Sequence, residues 1–544
     1  MEDLRSLENH SGNSDPVSTH DRTSNEKTRA RALGTSYPSL LDDLALDSLR
    51  GEVEEDSERI YEAKARILNA AMQEIGMGRY QWKLFVVVGF GWAADNLWPI
   101  VTSLILVPVS QEFSAKQPAF LTLSQNLGLL FGALIWGFGC DIFGRKLGFN
   151  ITIFTTAIFA LLSASSTNFI SICLCVFFWS TGVGGNLPVD SAIFLEFLPG
   201  SHQYLLTVLS IFWSIAQLLV TLLAWPLLSN FSCQPKAQSC TRGENAGWRW
   251  LLISVGSAAF LMFLARFFTI EIHESPKYLM GKGRPEEAVA VVQEVARRNG
   301  VKCSLTIAHL EQFGSIENVV EKSNELTSPK TLLMRTLRRF DFQHLSGLFN
   351  TPVLALSTGL ITTIWALIGL AFPLYNAFIP LIETQRGIKF GDETSTTYRN
   401  SLIIAAVGLP GSAIGALMTQ TPQLGRKGSL AITSALTGIS LFGSLTAKSS
   451  SILLVWNCLF GLNTNFLLSI LYSYTPEIFV TKNRGTGNAL TASVGRICGT
   501  LAPVVFMCTN IKSSLPVYIS GSLFFAVAFT SLLLPLESHG SASL

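Results

Sequence analysis

Asp95 stands in the middle of an apolar run, GFGWAADNLWP, where no water solvates a carboxylate. A charge at that depth costs at least about 2.5–3.5 kcal/mol on insertion scales. It is tolerated where it faces a watery cavity or a partner. Desolvation penalises its charged form, so it can also take and release a proton. Two readings follow: a proton-coupling or cation-contacting site, or a buried ion pair that ties helices together. Asn96, Trp92 and Trp98 beside it give the region a binding-site character. Arg496, in TASVGRICGT, carries a permanent charge inside another run. It can meet an anionic solute, pair with an acid, or snorkel to the membrane face. Asp190, in GVGGNLPVD, is a gating residue or half of a structural pair. Asn186 precedes Pro188, which bends a helix and frees backbone groups. Tyr375 and Asn376 near Pro373, and Asn463, Thr464 and Asn465, put more polarity in mid-run. That concentration points to a cavity; for each Asn, a bond between helices is the equal alternative.

These residues sit on twelve apolar stretches, at 85–108, 119–140, 149–166, 168–191, 204–228, 249–270, 353–380, 398–418, 429–447, 451–475, 486–508 and 514–535. Runs of about 20 apolar residues are the length that crosses a bilayer. Hydrophobic residues make up 49% of the chain and charged residues 14%, against about 25% charged in soluble domains. The two sets of six share punctuation. Gly144-Arg145-Lys146 and Gly425-Arg426-Lys427 each follow the second stretch of a set, and Glu196 and Glu477 each follow the fourth. A duplicated six-helix unit is how many secondary transporters are built. The expected fold is all-α and integral to the membrane, with 12 helices in two pseudo-symmetric six-helix bundles.

The expected organisation is a disordered cytosolic tail (1–55), an amphipathic pre-membrane helix (56–84), an N-terminal bundle (85–270), a cytosolic central loop with short helices (271–350), a C-terminal bundle (351–535) and a short cytosolic tail (536–544). Lys277, Lys282 and Arg284, then Lys330, Arg335, Arg338 and Arg339, flank the central loop and place it inside by the positive-inside rule. Both termini are then cytosolic. Cys233 and Cys240 share a polar loop on the opposite, oxidising side, where a disulfide between them is an open possibility. Asn230-Phe-Ser is a glycosylation sequon close to a helix end.

Several function classes drop out. A net charge of +2 implies no nucleic-acid partner. All seven histidines fall outside the apolar runs, and no Cys/His spacing suggests a metal. No nucleophile, base and orienting residue stand together, so neither an enzyme nor a cofactor is expected. Gly182, Gly184 and Gly185 lie within a span and serve close helix packing, not phosphate binding.

Gly137-Phe-Gly-Cys-Asp141-Ile-Phe-Gly144-Arg145-Lys146 resembles the signature loop of the major facilitator superfamily. The resemblance implies cytosolic contacts that latch two halves, with Gly137, Asp141, Gly144, Arg145 and Lys146 taking part. The second copy departs, with Met418 and Pro422 where Gly and Asp would stand, which implies a weaker or absent latch. Glu477 and Arg484 resemble the Glu-x6-Arg element of sugar-porter-like members. The first half keeps Glu196 but has Gln203 for Arg, which puts its charge network in doubt. Glu274-Ser-Pro-Lys277, GVGGNLPVD with EFLP, Asp95 and GMGRYQW look most like the synaptic-vesicle-protein-related branch in its fungal form. The seventh stretch lacks the paired glutamines of sugar porters, and the fifth lacks the glycine-rich motif of drug–proton antiporters.

The expected function is alternating-access transport of a small organic solute, proton-coupled, with an organic acid or aromatic metabolite favoured over hexose. Proton coupling and substrate contact fall to Asp95, Asn96, Asp190 and Arg496; cavity candidates are Trp98, Asn186, Tyr375, Asn376, Asn463 and Asn465. The cytosolic gate adds Glu196, Glu274, Arg426, Glu477 and Arg484. The expected partners are solute, protons and lipid; the expected state is a monomer in the plasma membrane, or else in a vacuolar or other internal membrane. The rivals are an efflux pump of the same fold and a transporter-like sensor or trafficking protein.

Overall fold

A computed structural model of the chain describes residues 53–202, 205–234, 240–268, 272–311, 348–390, 394–418, 425–479, 484–509 and 514–535. The chain falls into two units, residues 1–66 and 67–544, and the membrane helices belong to the second. Among the described residues every regular element is helical. Helix α1 (Val53–Ile75) precedes six long helices: α2 (Arg79–Glu112), α3 (Ala119–Phe143), α4 (Arg145–Ser163), α5 (Phe169–Phe197), α6 (Ile211–Asn230) and α7 (Gly247–Phe268). Short helices α8 (Pro276–Gly281) and α9 (Pro285–Asn299) follow. The second set is α10 (Pro352–Asn376), the short α11 (Ile379–Phe390), α12 (Thr394–Met418), α13 (Gly425–Leu445), α14 (Ser450–Ile478), α15 (Arg484–Cys508) and α16 (Leu515–Leu532). Eleven of these are long and apolar enough to cross a membrane. α12, with a polar first turn (Thr394-Ser-Thr-Thr), occupies the place of the twelfth.

Local signals set the ends. α5 starts at Asn168, whose side chain accepts from the Ser171 N–H at 2.7 Å. α14 starts at Ser449, whose hydroxyl accepts from the Ile452 N–H. Such caps satisfy amides that a helix start leaves without partners. α1 stops at Gly76, which takes a positive φ of 68°, and α2 begins three residues later. The stretch expected to be continuous over 353–380 is in fact broken between Asn376 and Ile379. Pro380 has no N–H to continue the ladder, and the freed Asn376 carbonyl accepts from Ser103 Oγ at 3.5 Å. Glu196 and Glu477, expected beyond their spans, lie in the last turns of α5 and α14.

An offset of 281 residues carries Asn168 to Ser449, Arg145 to Arg426 and Glu196 to Glu477. The packing repeats as well: α3, α4 and α2 surround α5, while α12 and α13 flank α14, and α10 packs on α15. Small residues let these helices touch. A methyl group at Gly184 on α5 would meet the backbone of Leu129 on α3, and one at Gly132 the backbone of Thr181. Lipid tails supply no hydrophobic force between helices, so close van der Waals approach must.

The halves meet where α6 packs on α12 and α3 on α15, with α11 against α2. One hydrophobic cluster is shared: Leu104, Ile105 and Val109 pack with Phe378, Leu381, Tyr398 and Phe506. This seam lies towards the end that carries Cys233 and Cys240, which form a disulfide with a Cα–Cα distance of 5.9 Å. At the opposite, Gly-Arg-Lys end, Asn299 of α9 accepts from the Tyr80 N–H at 3.0 Å and donates to Gln81 at 2.8 Å, and Gln73 accepts from the Gly200 N–H at 2.8 Å. These bonds fix α9 and the end of α1 to the first half. Lys330, Arg335, Arg338 and Arg339 lie outside the described residues.

Gly184→Val should therefore abolish the monodisperse peak of the detergent-solubilised protein in size-exclusion chromatography. Gly359→Ala, where a methyl meets nothing within 4 Å, should leave it unchanged. A normal peak for the valine variant would show that α3 and α5 do not depend on this approach.

Candidate functional site

Midway along α2 and α15 the two halves exchange charge. Arg496 Nη2 lies 3.4 Å from Asp95 Oδ1, and Arg496 Nη1 donates to the Leu129 carbonyl of α3 at 3.2 Å. Gly495, beside it, packs against Gly369 and Trp365 of α10, which brings α15 close enough to present the arginine inward. The contact is long for a charge-assisted bond, which is about 2.7–2.9 Å. The two side chains keep 18% and 23% of their exposure. A pair that is neither tight nor sealed can exchange partners.

Four aromatic rings span both halves beside this pair. Trp92 of α2 stacks on Trp213 of α6 at 5.2 Å, Trp213 meets Tyr472 of α14 edge-on at 4.9 Å, and Tyr472 meets Trp365 of α10 at 5.0 Å. Asn96 donates to the Trp213 carbonyl at 3.1 Å, which ties α6 to the level of Asp95. Trp365 Nε1 donates to Thr475 at 2.9 Å, while the buried indole N–H groups of Trp92 and Trp213 have no acceptor among the described residues. Trp92 is three residues before Asp95, about 4.5 Å nearer the Gly-Arg-Lys end. The layer thus lies between the ion pair and that end. Trp213, Tyr472 and Trp365 were missed by sequence reasoning, since isolated aromatics in apolar runs look like lipid anchors or core.

Other candidates sit elsewhere. Asp190 pairs with Arg266 at 2.7 Å, both side chains 0% exposed, and Arg266 also donates to the carbonyls of Phe149 and Val87 at 2.9 and 3.2 Å. This is the structural-pair reading, with a partner the sequence did not single out. Trp98 is buried, packed against Trp179 at 5.3 Å inside the shared cluster. Asn463 donates to Ser440 at 3.3 Å and Asn465 to the Gly408 carbonyl at 2.9 Å, so both tie helices together. Tyr375 is buried, donating to Asn457 at 2.7 Å, and Asn457 donates to the buried Glu383 at 2.6 Å. Asn376 acts through its carbonyl, and Asn186 is fully buried.

At the Gly-Arg-Lys end, Gly144 adopts φ 103°, turning the chain so that Glu274 accepts from the N–H groups of Arg145 (2.9 Å) and Lys146 (3.3 Å). Arg145 pairs with Glu196, and Arg426 pairs with Glu477. The second copy therefore keeps its ion pair despite Met418 and Pro422, and the first keeps its own despite Gln203. The departures leave the Arg–Glu contact alone because it needs only the loop arginine and the last turn of α5 or α14. Both pairs lie within a half. Gly137 is exposed with open space around it; the Asp141 and Arg484 side chains, Pro422 and Gln203 lie outside the described residues.

Two six-helix halves of the same orientation around a shared polar centre define a carrier of solutes across a membrane, not an enzyme. Residues 84–503 match the Major Facilitator Superfamily, and the chain belongs to that family. It is 45% identical to "MFS siderochrome iron transporter 1" of Ceriporiopsis subvermispora, across 96% of this chain and 97% of that one. It is 25% identical to the niacin transporter NiaP of Acinetobacter baylyi, across 80% of this chain and 89% of that one. The xylose transporter XylE from E. coli, in its inward open conformation, shares the fold with a TM-score of 0.61 at 16% identity, covering 85% of this chain and 98% of that one. The protein is a multi-pass membrane transporter of small molecules.

If the rings cover the ion pair, Trp213→Ala should expose it. A cysteine replacing Asn96, in a background without other free thiols, should react with maleimide at least about tenfold faster once the ring is gone, a change of about 1.4 kcal/mol in access. Equal rates would mean that the rings do not cover the pair.

Proposed function

We propose that the protein carries small organic anions bearing a planar ring, in symport with protons, by alternating access. The carrying observation is the loose Asp95–Arg496 contact between the halves, set beside four rings. An incoming carboxylate competes with Asp95 for the guanidinium. Arg presents a fork that binds a carboxylate through two N–H groups. Asp95, deprived of its cation in a low-dielectric site, is then neutralised by taking a proton. Solute and proton occupy the site together, and the centre stays neutral as the halves rock.

The donor balance supports an acid over a polyol. Arg496 and the two unpartnered indole N–H groups are donors only, and the rings offer stacking faces. A sugar carries no charge to compete with Asp95 for the guanidinium. The niacin transporter's name agrees with an aromatic acid. The relative named as a siderochrome iron transporter favours a second reading, an iron–siderochrome complex as solute, and its identity is the higher. The disulfide supports an oxidising compartment at its end and, with it, a cytosolic Gly-Arg-Lys end. We take the carrier to work as a monomer in the plasma membrane.

Metabolite profiles of cells expressing the wild type or Asp95→Asn, with and without an uncoupler and with ferric siderochromes in the medium, test both readings. An aromatic or organic acid whose distribution shifts with the wild type, and collapses with either the variant or the uncoupler, is the expected result. Full accumulation by Asp95→Asn would end the coupling role. Uptake of siderochrome iron without any organic-acid shift would replace the first reading with the second.

A further inference from the structure

Asn186 is fully buried on α5, and among the described residues neither the oxygen nor the nitrogen of its amide has a hydrogen-bond partner. Buried amides are almost always bonded, and an orphan of this kind points to water or a ligand. Its place on the helix says where that water lies. Asn186 and Asp190 are four residues apart, so they share a face of α5. That face meets α2 at Gly91, where a methyl group would overlap the Asp190 carboxylate. α2 runs towards the disulfide end and α5 runs back from it. Four residues onward from Gly91 is Asp95, and four residues back from Asp190 is Asn186. Both steps move about 6 Å in the same direction. Asn186 therefore stands level with Asp95, one turn above the Asp190–Arg266 pair.

The duplication supplies an internal control. The 281-residue offset that relates Arg145 to Arg426 and Glu196 to Glu477 takes Asn186 to Leu467 and Asp190 to Leu471. Both leucines are fully buried on α14. The same scaffold thus packs these two positions with hydrocarbon in one half. A buried ion pair and an orphan amide are harder to accommodate than leucine, so the fold alone does not call for them.

We infer that Asn186 binds water inside the N-terminal half, and that Asp95, this water and Asp190 form a proton path that the C-terminal half lacks. The inference rests on the proton-coupling reading of Asp95. The Asp95 carboxyl gives its proton to the water, and the water gives one of its own to the Asp190 carboxylate; no other bond changes. Asp190 is seven residues from the end of α5, about 10 Å from the Gly-Arg-Lys face, and Glu196 beside Arg145 lies further along the same helix. The charged groups facing the line are Arg266 from α7 and Arg496 from α15. α4 contributes the Phe149 ring and carbonyl, α2 the Val87 carbonyl and α3 the Leu129 carbonyl, and the Tyr472 hydroxyl of α14 lies in the field of Asp95. The aromatic layer covers Asp95 on the same side, so a path through the half lets the proton pass without the solute.

Infrared spectroscopy of the full chain in nanodiscs tests this, in an Arg496→Gln background that deprives Asp95 of its cation as the solute would. The difference between that protein and the same protein carrying Asp95→Asn identifies the protonated Asp95 carboxyl, and its deuterium exchange is timed after a switch to heavy water. Asn186→Leu, the residue of the other half, should slow that exchange by about tenfold or more, while Asn186→Ser, which can hold the water, should restore it. Unchanged exchange in Asn186→Leu overturns the path. Slow exchange in both variants also overturns it, because packing and not water would then be the cause. Should no Asp95 carboxyl band be found between about pH 4 and about pH 9, the coupling reading itself fails, and the path with it. Melting curves of both variants exclude unfolding as the cause of a slowed rate.

Discussion

A charge in the middle of a bilayer has no solvent, and the Asp95–Arg496 contact is where this chain meets that constraint across its two halves. Each of the two is held by a group of the other half, Asp95 by Arg496 and Arg496 also by the Leu129 carbonyl. The distance, 3.4 Å, and the residual exposure set this contact apart from the other buried pairs. Asp190–Arg266 and Glu112–Arg249 are both 2.7 Å, and each lies within the first half and is wrapped in further bonds. Glu112 also accepts from Trp248 at 2.9 Å and from Asn245 at 3.2 Å. Tight pairs hold the helices of one half as a rigid body. The loose pair lies at the seam, where partners must change if the halves are to move.

Rigidity within a half and looseness between halves recur elsewhere. Glycines bring α3 onto α5 and α10 onto α15 at backbone distance. The Arg145–Glu196 and Arg426–Glu477 pairs each tie the start of one helix to the last turn of another in the same half. Between the halves, the seam towards the disulfide end is a packed apolar cluster, and the layer below the ion pair is made of rings in edge contact. Apolar surfaces of this kind separate without leaving unpaired hydrogen-bonding groups.

The fold was legible in the sequence because its signals are long. Apolar runs of membrane-crossing length and a repeated Gly-Arg-Lys do not depend on tertiary detail. The break at 377–378 was less legible, since Pro373 sits inside α10 without ending it and only Pro380 marks the interruption. For the site, the two charged residues in mid-run were readable, because few alternatives exist for a charge at that depth. Their mutual pairing was not, being a contact over 401 positions. The aromatic layer was hidden for a related reason: Trp213, Tyr472 and Trp365 look like any other aromatic until three helices converge. Asn463 and Asn465 show the converse. Their sequence fitted cavity polarity and a bond between helices equally, and each bonds a neighbouring helix. Arg266 was overlooked because it sits near the end of α7, where snorkelling is the ordinary explanation, yet it is fully buried against Asp190.

The account depends most on the Asp95–Arg496 contact being an energetic link between the halves. A double-mutant cycle on the full-length protein in detergent measures it, using the thermal stabilities of wild type, Asp95→Asn, Arg496→Gln and the double variant. A real link predicts a coupling energy of at least about 0.5 kcal/mol, with the double variant more stable than the sum of the single losses. Strictly additive losses would contradict it, leaving two charges that are neighbours without being partners.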